Sequence, residues 1–356
     1  MKALWPLPAK AQLAIRTTAA ALASYAIATA LELPQTVWAV VTALVVMQAS
    51  VGATIGAGID RMAGTLGGAL VGAVVATAQP WLGLPDWAAL ALAVAPLAAL
   101  AAGRPRLRIA PLTAVIILLA IPADMAAPLA ALERILEIGL GTVVGLASAL
   151  LIFPARAESF LRRYAAETLR HLGWLAQAHL DGALEPTDQA AIAERQARSR
   201  RALADAETSG AELARERAAH VTDAPDRSAV LRSLRRLRSD VALLSRTLPE
   251  PLPAPLASRL APAITDLGSG LRTALEGLGA RVAADGPPPD LAPLDAAIAG
   301  FEEAWSTAGP AIDAALRSGG GAKAALSLPF AIETLRRDLN DLVTVAAAPA
   351  AGRAAS

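Results

Sequence analysis

Apolar and small residues fill most of the first 154 positions, in long runs that only short turns interrupt. A helix needs about 20 such residues to cross a bilayer, so the shorter runs must draw in flanking residues. Soluble core helices are the alternative, but these runs have almost no polar face. The pattern therefore predicts six spans. Their apolar runs lie at residues 15–31, 36–48, 62–78, 87–102, 109–121 and 138–153, and the sixth span starts near Pro128, before its apolar run.

From residue 155 onward, charged residues alternate with Ala and Leu, and the apolar positions recur at helical spacing. Proline and glycine divide this region into further helices at 156–184, 188–220, 227–247, 255–283, 290–317 and 323–346. We therefore predict an all-α protein in three parts. They are a transmembrane domain at 1–154, a cytoplasmic α-helical domain at 155–346 and a disordered tail at 347–356.

The charge distribution supports this division. Only 8 of the 32 Lys and Arg residues lie before residue 155, and the chain has a net charge of +1 with basic and acidic residues interleaved, which argues against a nucleic-acid partner. The absence of cysteine excludes disulfides and cysteine-bound metals. No phosphate-binding loop, metal-ligand cluster or nucleophile–base set occurs in the sequence, so we expect neither an enzyme nor a cofactor nor a metal site.

Lys and Arg lie at alternate turns between the predicted spans. Arg61 is expected between spans 2 and 3, and three arginines lie between spans 4 and 5. The turns at 32–35, 79–87 and 122–128 contain no Lys or Arg. By the positive-inside rule, both termini of this multi-pass protein are expected in the cytoplasm.

Two strings of the chain are similar, RMAGTLGGALVG at 61–72 and RILEIGLGTVVG at 134–145. In each, glycines lie about two and three helical turns after the arginine. The segment around Thr42 in span 2 is likewise similar to that around Thr113 in span 5. Spacing by four predicts that the glycines pack one helix against another, at Gly64, Gly68, Gly72, Gly141 and Gly145.

These similarities predict that spans 1–3 and 4–6 are copies. Because three is odd, the second copy enters the membrane from the opposite side, which gives a 3+3 inverted repeat. Transporters use this arrangement and place the transport path at the repeat interface. Chance similarity between helices rich in glycine and alanine is the alternative.

Six charged residues lie in or beside the predicted spans: Arg16, Asp60, Arg61, Glu133, Arg134 and Glu137. A charge at the bilayer centre costs about 2.5–3.5 kcal/mol, so such residues pair or face water. In one interpretation the three arginines line an anion path, and the carboxylates serve proton coupling or ion pairing. In the other, Arg16 and Arg61 extend to the headgroups, and an Arg134–Glu137 pair only orients span 6.

The order of several residues resembles the fusaric acid resistance protein-like family, which includes bacterial aromatic acid exporters. The residues are Trp38, Thr42, Gln48, Arg61, Gly64 and Gly68. The stretch from Arg134 to Pro154 resembles the end of the same domain, so the resemblance covers about residues 10–155. Plant aluminium-activated malate transporters, which are anion channels, are distantly similar.

The resemblance implies efflux of organic, often aromatic, carboxylate anions, with the lipid bilayer and the anion as partners. Exporters of this family often carry two membrane halves in one chain; this chain carries one, so a homodimer is expected. Whether a periplasmic adaptor attaches is unknown from the sequence. Two alternatives stay open: a passive organic-anion channel, and a membrane-anchored helical interaction module without transport.

Overall fold

Thirteen α-helices make up most of the computed structural model, which describes residues 7–120, 125–284, 289–318 and 322–347. The chain forms two compact units. The N-terminal unit comprises Met1–Ala157 and also Arg215–Val221; the C-terminal unit comprises Glu158–Ala214 and Thr222–Ser356. From residue 348 onward, the predicted tail lies outside the described residues.

Six α-helices and one short 3-10 turn build the first part of the N-terminal unit. They are α1 (Ala9–Ala30), α2 (Val37–Val46), α3 (Val51–Leu82), α4 (Asp86–Gly103), the turn Pro105–Leu107, α5 (Ala110–Leu119) and α6 (Ala127–Leu151). By length and composition, α1, α3, α4 and α6 can each cross a membrane. Helices α2 and α5 have 10 residues each. At 1.5 Å per residue they are about 15 Å long, half of a hydrocarbon core.

The start of α3 corrects one prediction. The helix begins at Val51 and not near residue 62, so Asp60 and Arg61 lie inside it and not in a turn between two spans. The N-cap residue Ser50 explains the early start, because its Oγ accepts a hydrogen bond from the backbone N–H of Ala53 at 3.0 Å. Glycines and charges in this segment look like a turn in the sequence, but their backbone continues the helix.

Helices α3 and α6 pack against each other, and each also packs against two further helices. Helix α3 packs on α4 and α5, and α6 packs on α1 and α2. Small residues fill both sets of contacts, with Ala89, Ala93 and Ala110 in one core cluster and Ala20 and Ala43 in the other. The arginine-bearing helices α3 and α6 therefore lie at the centre of the unit.

Seven helices follow α6: α7 (Ala157–Asp181), α8 (Gln189–Ala218), α9 (Ser228–Thr247), α10 (Ala254–Ala284), α11 (Ala292–Thr307), α12 (Gly309–Ser318) and α13 (Ala322–Ala347). The single helix predicted at 290–317 is in fact two helices. Pro310 accounts for the break, because it has no N–H to donate to the preceding turn.

The C-terminal unit is an α-helical bundle whose helices meet at glycines. A Cβ on Gly173 of α7 would lie 3.3 Å from Leu275 Cβ of α10, and one on Gly279 of α10 would lie 3.2 Å from the carbonyl oxygen of Ala166. Helices α9 and α13 pack together over Asp240 and Asp338, which are both buried.

Candidate functional site

Three arginines are buried in the N-terminal unit, one on each of three helices. Arg16 of α1 is 2% exposed, and Arg61 of α3 and Arg134 of α6 are each 6% exposed. An arginine side chain stays charged in proteins, so its burial requires hydrogen-bond acceptors or a counter-ion. The surroundings of the three guanidinium groups differ in this respect.

Arg134 has partners at both terminal nitrogens, although its buried Nε has no hydrogen-bond partner in the described residues. Its Nη1 donates to Glu137 Oε2 at 3.1 Å, and its Nη2 donates to Gln35 Oε1 at 3.1 Å. The guanidinium lies over the Trp38 ring, 4.4 Å from its centroid. Two further hydrogen bonds complete the network. Trp38 Nε1 donates to Gln35 Oε1 at 2.9 Å. The backbone N–H of Gln35 donates to Glu137 Oε1 at 2.8 Å.

Arg16 has one partner that the structure defines. Its Nη2 donates to the carbonyl oxygen of Ala49 at 3.1 Å, in the turn between α2 and α3. Its buried Nε and Nη1 atoms have no hydrogen-bond partner in the described part of the chain. Arg16 therefore anchors this turn and retains donor capacity.

Arg61 has no carboxylate within ion-pair distance among the described residues, and its buried Nε has no hydrogen-bond partner there. Arg61 is therefore a buried positive charge that the described residues do not neutralise.

A small cavity lies beside Arg134. Its polar lining consists of Gln35, Glu133, Arg134 and Glu137, and the remaining lining residues come mainly from α5 and the start of α6. Its volume is about 10 Å³, which is room for about one water molecule. The described residues therefore leave no opening for an organic anion at this point.

The three predicted carboxylates have different positions. Glu137 is 1% exposed and pairs with Arg134. Glu133 is half-buried and lines the small cavity. Asp60 is exposed, and its Oδ1 lies 3.7 Å from Nε of Arg106, in the turn before α5. Only Glu137 is thus joined directly to one of the three arginines.

The glycines of the two repeated strings occupy matching contacts. A Cβ on Gly68 would lie 2.2 Å from the carbonyl oxygen of Ala110 and 2.7 Å from Thr113 Cβ. A Cβ on Gly141 would lie 2.2 Å from the carbonyl oxygen of Ala39 and 2.8 Å from Thr42 Cβ. Neither space admits a side chain, so each helix backbone approaches the next directly.

The remaining glycines follow the same scheme. Gly72 faces Ala114 and Ile117 of α5, and Gly64 faces Ile109 and Ala110, whereas Gly145 faces Ala43 and Val46 of α2. Thus α3 packs on the short helix that follows α4, and α6 packs on the short helix that follows α1. Each arginine-bearing helix rests on the short helix of the other predicted half.

The motif residues have identifiable positions. Trp38 stacks on Arg134, and Thr42 is buried against Gly141. The backbone N–H of Gln48 donates to Thr54 Oγ1 at 3.1 Å, which ties the end of α2 to the start of α3. Gln35, which bridges Arg134 and Trp38, was not foreseen from the sequence. Its one visible signal is its place near Trp38 in a turn without Lys or Arg.

The model of the fusaric acid resistance protein family matches residues 10–355. The chain belongs to this family. Members of the fusaric acid resistance protein family are membrane transporters and not enzymes. The chain is therefore a multi-pass membrane protein, in agreement with its four long apolar helices. A search of curated proteins found no match.

The family match covers more of the chain than the motif residues indicated. The motif residues indicated a resemblance over about residues 10–155, but the match continues to residue 355. The helices of the C-terminal unit are consequently part of the family's architecture and not an unrelated addition.

Proposed function

We propose that the protein exports organic carboxylate anions, aromatic acids among them, across a bacterial inner membrane along a path lined by Arg16, Arg61 and Arg134. One observation carries the proposal. The described parts of helices α1–α6 bury three arginines but one carboxylate, Glu137, and the other buried carboxylate of the N-terminal unit, Glu216, accepts hydrogen bonds from two helix N-termini. The excess positive charge fits a site that receives anions.

The energetics of burial support this assignment. A charge at the bilayer centre costs about 2.5–3.5 kcal/mol unless it is paired or hydrated. Arg134 offsets this cost with Glu137, whereas Arg61 has no such partner. A carboxylate substrate supplies the missing counter-charge, and the planar guanidinium matches the two oxygens of a carboxylate.

The Arg134 cluster fits aromatic acids in particular. The guanidinium already holds a carboxylate, from Glu137, and an aromatic face, from Trp38. An aromatic carboxylate presents the same two chemical groups. In the proposed cycle, the substrate carboxylate replaces that of Glu137 on Arg134, and this exchange opens the small cavity beside it.

Glu137 also offers a route to energy coupling. Protonation of its carboxylate removes the negative charge from Arg134, so the arginine becomes available to the substrate. Proton movement and anion movement would then be linked at one pair of side chains. Asp60 is too exposed for this part, and Glu133 lines the cavity without an ion pair to Arg134.

The packing of α3 on α5 and of α6 on α2 supports the 3+3 inverted repeat as part of the proposal. The matching contacts of Gly68 and Gly141 are those that a two-fold relation between the halves would produce.

Assembly as a homodimer and cytoplasmic termini remain predictions. Cysteine labelling at Arg106 and Trp81, both exposed, tests the orientation in intact cells.

Flux measurements in proteoliposomes test the proposed function. The purified chain is reconstituted with a panel of labelled aromatic and aliphatic carboxylates, with and without a proton gradient. Saturable aromatic acid flux that the gradient accelerates supports a coupled exporter. Flux or current that ignores the gradient favours the passive channel. No flux above empty vesicles across the panel contradicts transport and favours the interaction module.

A further inference from the structure

Glu216 is a fully buried carboxylate at the end of α8. Helix α8 is one continuous helix, Gln189–Ala218, but its last residues belong to the N-terminal unit, as Arg215–Val221. Nothing in the spacing of the sequence distinguishes Glu216 from its many charged neighbours. Its burial in a unit of apolar helices calls for a specific set of partners.

Two helix N-termini supply those partners. Oε1 of Glu216 accepts the backbone N–H of Gly52 at 2.9 Å and that of Ala157 at 3.0 Å. Gly52 is in the first turn of α3, and Ala157 is the first residue of α7. The first N–H groups of a helix lack partners within the helix and carry partial positive charge, so a carboxylate is favourable at this position.

The surrounding contacts hold the same segment in place. Arg156 donates to the carbonyl oxygen of Val221, and the backbone N–H of Val51 donates to the carbonyl oxygen of Ala155 at 3.0 Å. The guanidinium of Arg215 lies against Gly56 of α3, with Nη1 3.1 Å from the place that a Cβ would take. Segment 215–221 is therefore packed against the start of α3.

Helix α6, the counterpart of α3, begins differently, because it follows Ala126, whose side chain makes no cap hydrogen bond. Helix α3 is held at its start by Ser50 and by Glu216, a side chain from beyond α1–α6. It carries Arg61, which, like Arg16, has no carboxylate partner among the described residues.

We infer that Glu216 is a positioning residue for transport, which fixes the N-terminal end of α3 and thereby the place of Arg61. The inference rests on the proposed function. Glu216 lies at the end of α8, and a displacement of this end would release the two N-termini and let α3 move.

Hydrogen exchange in the full-length chain tests the positioning directly. Glu216→Gln removes the charge but keeps an acceptor oxygen, and Glu216→Ala removes both. We expect amide exchange in peptides covering 51–55 to accelerate about tenfold in Glu216→Ala and less in Glu216→Gln, because a charge-assisted hydrogen bond is lost. Glu194→Gln is the matched control, since Glu194 lies on α8, is exposed and pairs with Arg198. It leaves this exchange unchanged.

Flux per folded molecule provides the second measurement. In vesicles with equal amounts of folded protein, we expect Glu216→Gln to lower the maximal rate several-fold with little change in KM, because the residue does not touch the substrate. Glu216→Asp keeps the charge on a shorter side chain and restores part of the rate. Glu194→Gln transports like the wild type.

The outcomes distinguish the positioning of α3 by Glu216 from the role of Glu216 in transport. Unchanged exchange at 51–55 in Glu216→Ala overturns the positioning. Faster exchange together with wild-type flux in both variants shows a purely structural cap and overturns the role in transport. A wild type without flux for any acid contradicts the proposed function, and with it the transport role, while the exchange result still reports on the cap itself.

Discussion

In α6 the guanidinium of Arg134 donates to the carboxylate of Glu137 at 3.1 Å, one helical turn away. The repeated string in α3 has Gly64 at the corresponding position after Arg61. Gly64 lets α5 approach, with Ile109 Cβ 3.1 Å from the place of a glycine Cβ, but provides no counter-charge. One arginine of the pair is thus neutralised within its own helix and the other is not.

Replacing Glu137 by Gln should make the protein dependent on added carboxylate. The variant leaves the Arg134 charge buried without its partner, which costs about 3 kcal/mol in unfolding free energy. An aromatic carboxylate such as benzoate should restore part of this loss, and stabilise the variant more than the wild type. Thermal unfolding in detergent, with benzoate or chloride at equal ionic strength, measures both effects.

Glu133→Gln is the control for this experiment, because Glu133 lines the same cavity without pairing to Arg134. It should unfold like the wild type with and without benzoate. Equal benzoate stabilisation of all three proteins would argue that Arg134 is not a carboxylate site.

Adding a single methyl group at Gly68 or Gly141 should force two helices apart. Either Cβ would lie 2.2 Å from a carbonyl oxygen, which no side-chain rearrangement relieves. We expect Gly68→Ala and Gly141→Ala each to destabilise the protein by about 1–3 kcal/mol. Thermal unfolding in detergent, followed by size-exclusion chromatography, gives the ranking.

Neighbouring glycines provide matched controls on the same helices. A Cβ on Gly139 of α6 meets nothing within 4 Å, and one on Gly67 of α3 meets only atoms at 3.9 Å. Alanine there should leave stability unchanged or slightly raised, since alanine favours helix more than glycine does. Equal losses at all four positions would refute the tight helix contacts.

The C-terminal unit should lose stability as the pH rises toward neutrality. Burial raises the pKa of Asp240 from 3.8 to about 7, and the adjacent carboxyl of Asp338 adds to the rise, against the opposing charges of Arg337 and Arg236. The folded state therefore binds a proton that the unfolded chain releases above pH about 4. This contribution is complete below that pH and is lost as the pH passes through about 7.

Asp240→Asn should flatten this pH dependence. It keeps the size of the side chain and removes the titration, so between pH 5 and 8 its stability should fall less than that of the wild type, by on the order of 1–3 kcal/mol. Thermal unfolding across this pH range measures the difference. Asp266→Asn, at an exposed position of α10, is the control and should follow the wild type. Parallel curves for all three proteins would exclude the buried pair as the cause.

The sequence was sufficient to predict the helical class and the packing role of the glycines, because hydropathy and spacing by four are local signals. It also placed Arg134 and Glu137 one turn apart on a helix, where they do form a pair. The sequence did not predict the true start of α3, because the glycines and charges between Val51 and Arg61 resemble a turn. In the structure the Ser50 cap begins the helix there, and tertiary packing maintains it.

Two other features could not be read from local patterns. Helices α2 and α5 are ten residues long and lie in close contact with α6 and α3. The burial of Glu216 depends on contacts with Gly52 and Ala157, which are distant in the chain. Both are consequences of tertiary structure.

Carboxylate flux through Arg61→Ala, compared with wild type and Arg106→Ala in matched proteoliposomes, tests whether Arg61 lines an anion path. Arg106 is exposed and pairs with Asp60, so its loss removes the same charge outside the buried site. We expect saturable aromatic acid flux in wild type and Arg106→Ala, and at least about a tenfold loss in Arg61→Ala, corresponding to one charge-assisted hydrogen bond. Equal flux in all three proteins would contradict an anion path at Arg61.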